Sequence, residues 1–529
     1  MTMPMPGRRA LLAAGLAAPA AIASAQAQAA RTLRVIPQAN LTSLDPIWTT
    51  AVITRNHGYM VYDTLTAANS KNEMRPQMAE GWQVSDDRRA WTFTLRENLR
   101  FHDNEPVRAQ DCVPSLRRWM ARDSFGQVLA TAVEDMDVLD DRRFRIRLKR
   151  PFPFLAAAIG RSQGPAFIMP ERFASTDPFT GLRDATGSGP FRFMPAEWNP
   201  GVRAVYTRFE GYVPRQEPVD GLAGGKHARA ERSEWTVISD SATAANAMTT
   251  GEQDYWEYPL HDLLPLLRRS REVVVDQRLA EGTYGCLRFN HLQPPFNNPA
   301  IRQAVAMAVD QRDYLRAVAG NDPAGWAVCE GVFNCGGPLE NDQGSDILRT
   351  RNVDRAKAAL REAGYNNERV VVITPSDYPQ INALGLVTTD LLRRIGMNVE
   401  LVATDWGTLV QRRTSREPLD RGGWSIFHTT AAGDAINMPP VHLFLRANGA
   451  NAWFGWPDDP EIERLRAAWL DAEDEAQSKS IAGELNAQAM RSLPYVPLGF
   501  YWQPSAWNRR VTGAFKSPVT VFWNMGKSA

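Results

Sequence analysis

The chain has 529 residues, of which 44% are hydrophobic and 22% are charged. This composition is that of a globular protein with room for several cores, and it excludes a disordered chain and a single small domain. The 60 Lys and Arg residues against 59 Asp and Glu residues leave a formal net charge of +1. Because there is no basic excess to neutralise a phosphate backbone, we expect no nucleic-acid partner.

The N-terminus has the pattern of an export signal. Arg8 and Arg9 precede an uncharged, Ala- and Leu-rich run over about 10–22, and small residues follow at alternate positions through Ala29. These parts match the basic region, apolar region and cleavage site of a signal peptide, which we assign to residues 1–30 with cleavage near 27–30. The paired arginines favour the twin-arginine route over the general secretory route. We therefore expect a periplasmic protein.

The mature chain begins β-rich and then alternates strands with helices. Apolar alternation predicts paired strands over 82–101 and 137–148. Residues 298–320 and 352–364 are predicted helices, because each opens with an Asn cap and closes at a Gly. The elements expected after these are strand 370–373, helix 381–396, strand 397–403, a helix opened by Asp405 and strand 425–428. This alternation predicts an α/β fold with a parallel sheet covered on both faces.

The four cysteines fit an oxidising compartment. Cys329 and Cys335 bracket a short Gly-containing segment that could close a small loop, so we expect a disulfide between them. A zinc site is the alternative, but no second Cys pair or flanking His supplies the other ligands. We expect no metal, and we interpret Cys112 and Cys286 as separate buried thiols.

Short motifs follow one another over nearly the whole mature chain. The first group is AEGWQVSDD at 79–87, WTFTLR at 91–96 and FHD at 101–103. The others are SLDP at 43–46, TGSGPF at 186–191, FN at 289–290 with PPF at 294–296, IRQA at 301–304 with AVD at 308–310, DRAK at 354–357 with AGY at 363–365, and GW at 423–424. Taken together, the set resembles the signature of the family 5 solute-binding proteins, the peptide- and nickel-binding subunits of ABC importers.

The resemblance implies a two-lobed periplasmic binding protein fold of class II, with the extra β-rich subdomain of the large peptide-binding type. It places the core of lobe I at 31–62, 190–288 and 502–529, the β-rich subdomain at 63–189 and lobe II at 289–501. It further implies capture of a ligand between the lobes, hinge closure and delivery to an inner-membrane ABC permease. We expect a monomer without a cofactor.

The charged groups that hold peptide termini in relatives are missing from this chain. Phe427 aligns with the Asp that anchors a free ammonium, and Asn382 or Ala383 aligns with the Arg that holds a carboxylate. A buried ammonium without a carboxylate partner would cost several kcal/mol. We therefore expect a small organic solute or peptide-like ligand with an apolar or aromatic part and few charges, in place of a zwitterionic dipeptide.

Ten residues are candidates for contact with the ligand. They are Trp424, Phe427, His428, Thr429, Asp434, Arg413, Tyr378, Asn382, Thr50 and Val52. Trp424 could stack on the ligand or belong to the core. Phe427 joins it in the cleft only if a bulge or a strand end lies between the two. Arg413 could bind an anionic group, snorkel or form an ion pair, and the polar candidates could equally be solvated loop residues.

Other functions are less well supported by the sequence. The GKS at 526–528 lacks the first Gly of a phosphate-binding loop, and no HExxH zinc motif occurs. We expect no enzyme activity. A nickel-chelate binder, with His428 as the candidate ligand, is one alternative. An exported enzyme or a chaperone-like binder on the same scaffold is another.

Overall fold

The structure is a computed structural model that describes residues 31–279 and 281–528. The predicted signal peptide, residues 1–30, lies outside the described residues. Among the helices of the described residues, none combines the length and the apolar character needed to cross a membrane.

Two large sheets form the centres of two lobes. The seven-stranded sheet has the order Phe191–Phe193, Arg203–Arg208, Arg232–Thr236, Thr32–Ile36, Tyr255–Trp256, Ser505–Asn508 and Val273–Asp276. The six-stranded sheet has the order Trp326–Ala327, Val496–Tyr501, Thr283–Phe289, Ile426–Ala432, Arg369–Pro375 and Asn398–Thr404. We call residues 31–276 and 505–528 the first lobe, and residues 283–501 the second lobe.

The chain passes between the two sheets twice, after Asp276 and again after Tyr501. Pairing places all of strand Thr283–Phe289 in the six-stranded sheet. The predicted boundary at 288–289 therefore falls at the end of a strand of the second lobe, and the crossing lies before it.

A four-stranded antiparallel sheet belongs to the predicted β-rich subdomain. Its order is Ala79–Val84, Ala90–Leu95, Arg143–Leu148 and Val133–Val138. In the strand Ala90–Leu95, every second side chain is buried, as a strand with one covered face requires. Phe93 of this strand stacks on Phe144 with ring centroids 5.3 Å apart. Smaller two-stranded pairs join Asp63–Thr64 with Phe167–Ile168, Thr66–Ala68 with Met74–Pro76, and Val511–Thr512 with Gly526–Lys527.

Helices pack around these sheets in both lobes. In the first lobe they are Val52–Val61, Ala109–Arg122, Ser124–Ala132, Leu155–Gly160, Glu171–Ala174, Ser241–Thr249 and Leu264–Arg269. In the second lobe they are Pro299–Ala308, Gln311–Ala319, Asp346–Arg349, Val353–Glu362, Pro379–Arg394, Trp406–Arg412, Pro460–Leu470 and Glu475–Ser492.

Two expectations about these elements need correction. The predicted helix 298–320 is two helices, because Val309 is extended and the Asp310 carboxylate accepts a hydrogen bond from Arg312 N and caps a new helix. The second-lobe sheet is mixed. Arg369–Pro375 pairs in parallel with Ile426–Ala432 on one side and with Asn398–Thr404 on the other. Thr283–Phe289 pairs antiparallel with both of its neighbours, Ile426–Ala432 and Val496–Tyr501.

The cysteines are arranged as predicted. Cys329 and Cys335 form a disulfide with Cα atoms 6.0 Å apart, which confirms the expected bond. Cys112 and Cys286 are buried free thiols. Burial raises the pKa of Cys286 to about 12, so this thiol stays protonated and unreactive at neutral pH.

Candidate functional site

A cavity of about 470 Å³ lies between the two lobes. First-lobe residues from the segments 46–55, 119–127 and 161–165 line it, together with Phe179. Second-lobe residues from 414–416, 429–436 and 441–456 line it from the other side. A volume of this order suits a small organic molecule.

Aromatic side chains form a large part of the cavity wall. The lining aromatic residues are Trp48, Trp119, Phe179, Phe444, Trp453, Phe454 and Trp456. Trp453 is central among them, with ring centroids 5.2 Å from Phe444 and 5.4 Å from Phe454. These rings offer flat apolar surfaces on which an apolar or aromatic part of a solute can pack.

The charged residues of the wall are five arginines and one aspartate. The arginines are Arg55, Arg122, Arg161, Arg416 and Arg446, and the aspartate is Asp123. Asp123 is already engaged, because Oδ1 accepts from Phe125 N and Gly126 N at the start of a helix and Oδ2 pairs with Arg161. The wall therefore carries a clear excess of positive charge.

Direct hydrogen bonds join the two lobes at the cavity. Arg446 Nη1 donates to the carbonyl oxygen of Ser124 at 3.0 Å. Gln163 Nε2 donates to Asp434 Oδ1 at 3.0 Å, and Ser162 Oγ donates to Asp434 Oδ2. The lobes are thus in direct contact at the cavity, as in a closed arrangement.

Arg413 lies directly behind the wall. Its side chain is 1% exposed, and its Nη2 donates to Thr50 Oγ1 at 3.4 Å across the lobes. Four rings surround the guanidinium at 5.0–5.8 Å from their centroids, those of Trp406, Phe427, Trp453 and Phe454. Burial lowers the pKa of Arg413 to about 9. Cation–π contacts offset part of the cost of burying this charge.

Two carboxyl groups near the cavity are poorly solvated. Burial raises the pKa of Asp434, although the hydrogen bond from Ser162 opposes the shift. Burial, and then the charge of Asp434, raise the pKa of Glu281 to about 7. Glu281 lies in the first passage between the lobes and therefore carries less negative charge near neutrality than an ordinary carboxylate.

Three of the ten predicted contact residues line the cavity. They are Thr429 from the second lobe, and Thr50 and Val52 from the first. Asp434 is outside the wall and bonds Ser162 and Gln163. The direct ligand contacts of all ten residues stay predictions.

Trp424 and Phe427 are fully buried and contact each other. Their ring centroids are 5.0 Å apart in an edge-to-face arrangement, and neither side chain lines the cavity. The strand begins at Ile426, so a strand end does lie between them and brings both rings to one side. Trp424 also packs on Trp456, a wall residue, and so supports the wall from behind.

His428, Tyr378 and Asn382 are second-lobe residues that do not line the cavity. His428 Nε2 is hydrogen-bonded to Thr388 Oγ1 at 2.7 Å, and burial lowers the pKa of the imidazole to about 3. Tyr378 packs edge-to-face on Trp406, and Asn382 Oδ1 accepts from Thr374 Oγ1 at 3.2 Å. Among the described residues, no group of three or more His, Cys, Asp or Glu could hold a metal ion.

Sequence reasoning missed the residues that form most of the wall. In the second lobe, the sequence does show one pattern that could have indicated the wall, the aromatic cluster of Trp453, Phe454 and Trp456. Nothing in the sequence marks Arg122 and Arg446 as wall residues, because the chain contains many arginines.

Comparison with known proteins places the chain in a family. Residues 73–452 match the model for the middle part of the bacterial extracellular solute-binding proteins, family 5. The chain is 39% identical over 531 residues to the "Probable peptide ABC transporter periplasmic-binding protein y4tO" of Sinorhizobium fredii, covering 98% of this chain and 99% of that relative.

Solved structures of the same architecture agree with this assignment. The binding protein AgaA in complex with agropinic acid, from A. tumefaciens R10, has a TM-score of 0.78 at 21% identity, covering 94% of this chain and 99% of that one. DppA of Helicobacter pylori in complex with the peptide STSA has a TM-score of 0.77 at 21% identity, covering 94% and 98%. The fold is thus that of the two-lobed periplasmic binding proteins, and the chain belongs to family 5 of the bacterial extracellular solute-binding proteins, the substrate-binding components of ABC importers.

Proposed function

We propose that this protein captures one small organic solute or peptide-like molecule in the cavity between its lobes and delivers it to an inner-membrane ABC permease. The observation that carries the proposal is the cavity of about 470 Å³ with walls from both lobes. A molecule held there contacts both lobes only when they are together, so its binding energy favours the closed arrangement. The permease can then distinguish a loaded protein from an empty one by its shape.

Contacts between the lobes support this closure cycle. Asp434 and Arg446 of the second lobe bond Gln163 and Ser124 of the first lobe at the cavity itself. Ser162 adds a second hydrogen bond to Asp434, and Arg413 donates to Thr50 across the lobes. Each hydrogen bond of this kind is worth about 0.5–1.5 kcal/mol for a neutral pair and about 1.5–3 kcal/mol with a charged partner. A bound solute that contacts both walls adds to these contacts and favours stable closure.

The names of relatives are consistent with a peptide-like or small organic solute. The relative y4tO is named as a probable peptide transporter component, and the structural neighbour AgaA holds agropinic acid. We infer that binding occurs without turnover, since the titratable side chains that line the cavity in the described part of the chain are five arginines and Asp123, which is paired with Arg161. Export through the N-terminal signal, with cleavage near residues 27–30, completes the proposal and puts the mature protein in the periplasm.

Native mass spectrometry tests the proposal. The mature protein is equilibrated with a low-molecular-weight extract of its own cells, desalted and sprayed intact. The expected result is one small molecule bound per chain, released on unfolding, and unchanged in mass by incubation with the protein. Protein with Trp453→Ala and Trp456→Ala should retain less of it, whereas a Leu386→Ala variant, at an exposed helical position of the second lobe, should retain it fully. A protein that retains no molecule, or that converts the one it binds, contradicts the proposal.

A further inference from the structure

We propose that the solute is an organic anion, and that Arg122 and Arg446 bind its carboxylate. The inference rests on the proposed function, because it names the class of molecule captured in the same cavity. It also replaces the expectation of a ligand with few charges.

The first support is the charge of the wall. Five arginines and one aspartate line the cavity, a formal excess of four positive charges. Among the described residues, only Arg161 of these five has a carboxylate within 4.0 Å, namely that of Asp123. A cavity with this imbalance favours an anion by long-range attraction as well as by contact.

The second support is the way in which Arg122 and Arg446 are held. Arg122 Nη2 donates to the carbonyl oxygen of Trp48 at 2.8 Å, and its guanidinium lies over the ring of Phe179 at 5.0 Å. Arg446 donates to the carbonyl oxygen of Ser124 and to Asn448 Oδ1 at 3.2 Å. Neutral acceptors and a ring orient both guanidinium groups. Asp45 and Asp177 act on the charge of Arg122 from a distance, as Glu463 and Asp123 act on that of Arg446. No carboxylate hydrogen-bonds to either guanidinium among the described residues, so each can still form a direct ion pair with the solute.

Arg122 and Arg446 belong to different lobes but lie at the same short segment, residues 122–124. Arg446 comes from the second lobe and bonds the carbonyl of Ser124, two residues after Arg122. A carboxylate between them would join the lobes through two charge-assisted hydrogen bonds, which are shorter and stronger than neutral ones. The anion would therefore couple binding to closure.

The third support is unsatisfied hydrogen-bonding capacity. Among the described residues, the Nε atoms of Arg55, Arg122 and Arg161 are buried without a hydrogen-bond partner. Arg413, immediately behind the wall, is 1% exposed and also has an unpartnered Nε. Buried cations without counter-charge are costly. Arg161 already has the carboxylate of Asp123, so an anion in the cavity would lower this cost chiefly for Arg55, Arg122 and Arg413.

The cavity wall also offers an apolar surface for the part of the solute that carries no charge. Trp453, Phe454 and Trp456 face the cavity beside the arginines. An anion with an apolar or aromatic body fits this combination, whereas a cation such as a lysine side chain would be repelled.

A set of compounds of similar size that differ in charge tests the inference by calorimetry. The probes are N-acetyl-Phe-Glu with two carboxylates, its neutral analogue N-acetyl-Phe-Gln-amide, and the cationic N-acetyl-Phe-Lys-amide. We expect the acid to bind more tightly than either of the others by about tenfold or more, which is about 1.4 kcal/mol. N-acetyl-phenylalanine against its amide repeats the comparison on a smaller molecule.

Variants show whether the named arginines are responsible. Arg446→Gln and Arg122→Gln should remove most of the preference for the acid, and Arg446→Lys should keep part of it because the charge remains. The exposed Arg355→Gln is the matched control and should leave the preference unchanged. Melting temperatures of all variants separate lost binding from lost folding.

Each outcome decides the inference. Tighter binding of the acids, dependent on Arg122 and Arg446, supports it. Equal or tighter binding of the amides overturns it and leaves the proposed function intact. If no probe of the set binds, the carboxylate inference is overturned, while capture of a molecule from the cell extract would still support the proposed function.

Discussion

Gln163 of the first lobe donates a hydrogen bond from Nε2 to Asp434 Oδ1 of the second lobe, across 3.0 Å beside the cavity. The same glutamine accepts from Arg55 through Oε1 and lines the cavity itself. One side chain thus connects a wall arginine to the contact that joins the lobes. Occupation of the cavity and closure of the lobes can be linked through it.

Removing the Asp434 carboxylate should loosen the closed arrangement. Asp434→Ala loses the bonds from Ser162 and Gln163, so we expect a larger radius of gyration for the ligand-free protein in small-angle X-ray scattering. Asp390→Ala removes an exposed aspartate paired with Arg394 and serves as the control. Identical scattering of the two variants would show that these bonds do not hold the lobes together.

Trp424 should matter more for stability than for contact with the solute. Its side chain is fully buried against Phe427 and Trp456. Loss of a buried large side chain costs about 3–5 kcal/mol, so Trp424→Ala should lower the free energy of unfolding by that amount in urea titrations. Leu386→Ala, at a 50% exposed site, should change it by much less. A small effect of Trp424→Ala would show that this ring is not part of the core.

The disulfide should stabilise the second lobe modestly. In the chain-entropy account, a bond closing so short a loop as 329–335 contributes about 2 kcal/mol. Reductant should therefore lower the melting temperature of the wild-type protein. The double variant Cys329→Ser, Cys335→Ser should melt at the lower temperature and be insensitive to reductant, and sensitivity of that variant would point to another cause.

Glu281 should make stability depend on pH. Burial raises its pKa from 4.5 to about 7 in the folded chain, so between these values the folded state binds more protons than the unfolded state. The contribution of this group to stability is then fully present below about pH 4.5 and is lost as the pH rises to about 7. Urea titrations at several pH values should show this decline in the wild-type protein and a flatter profile for Glu281→Gln.

The control for this comparison is Glu362→Gln, at an exposed helical position. Its profile should follow that of the wild-type protein. Parallel profiles for wild-type protein and Glu281→Gln would mean that Glu281 does not hold a proton in the folded state.

Local signals in the sequence predicted much of the fold and little of the site. Asn352 caps the helix Val353–Glu362 as expected, because capping depends on neighbouring residues alone. The break at Val309 is hidden in the sequence because apolar residues at helical spacing run from Ile301 up to Val309, and the capping residue Asp310 follows directly. The antiparallel pairing of Thr283–Phe289 joins distant segments that no local pattern relates.

The candidate site depends on contacts between residues that are still farther apart in the sequence. Arg446 and Ser124 are 322 positions apart in the sequence, and only the folded chain brings them to one cavity. Trp424 was a reasonable candidate, since an aromatic residue at a strand entrance can face either a ligand or the core. Its packing against Trp456 and Phe427 depends on tertiary structure, which no local pattern in the sequence reveals.

A crystal structure of the protein with the solute that it retains from its cell extract tests the central claim most directly. The account predicts density for one molecule between the lobes, with an anionic group at Arg122 and Arg446 and its apolar part against Trp453. Density on an outer surface, or a neutral molecule in the cavity that contacts neither arginine, would contradict it.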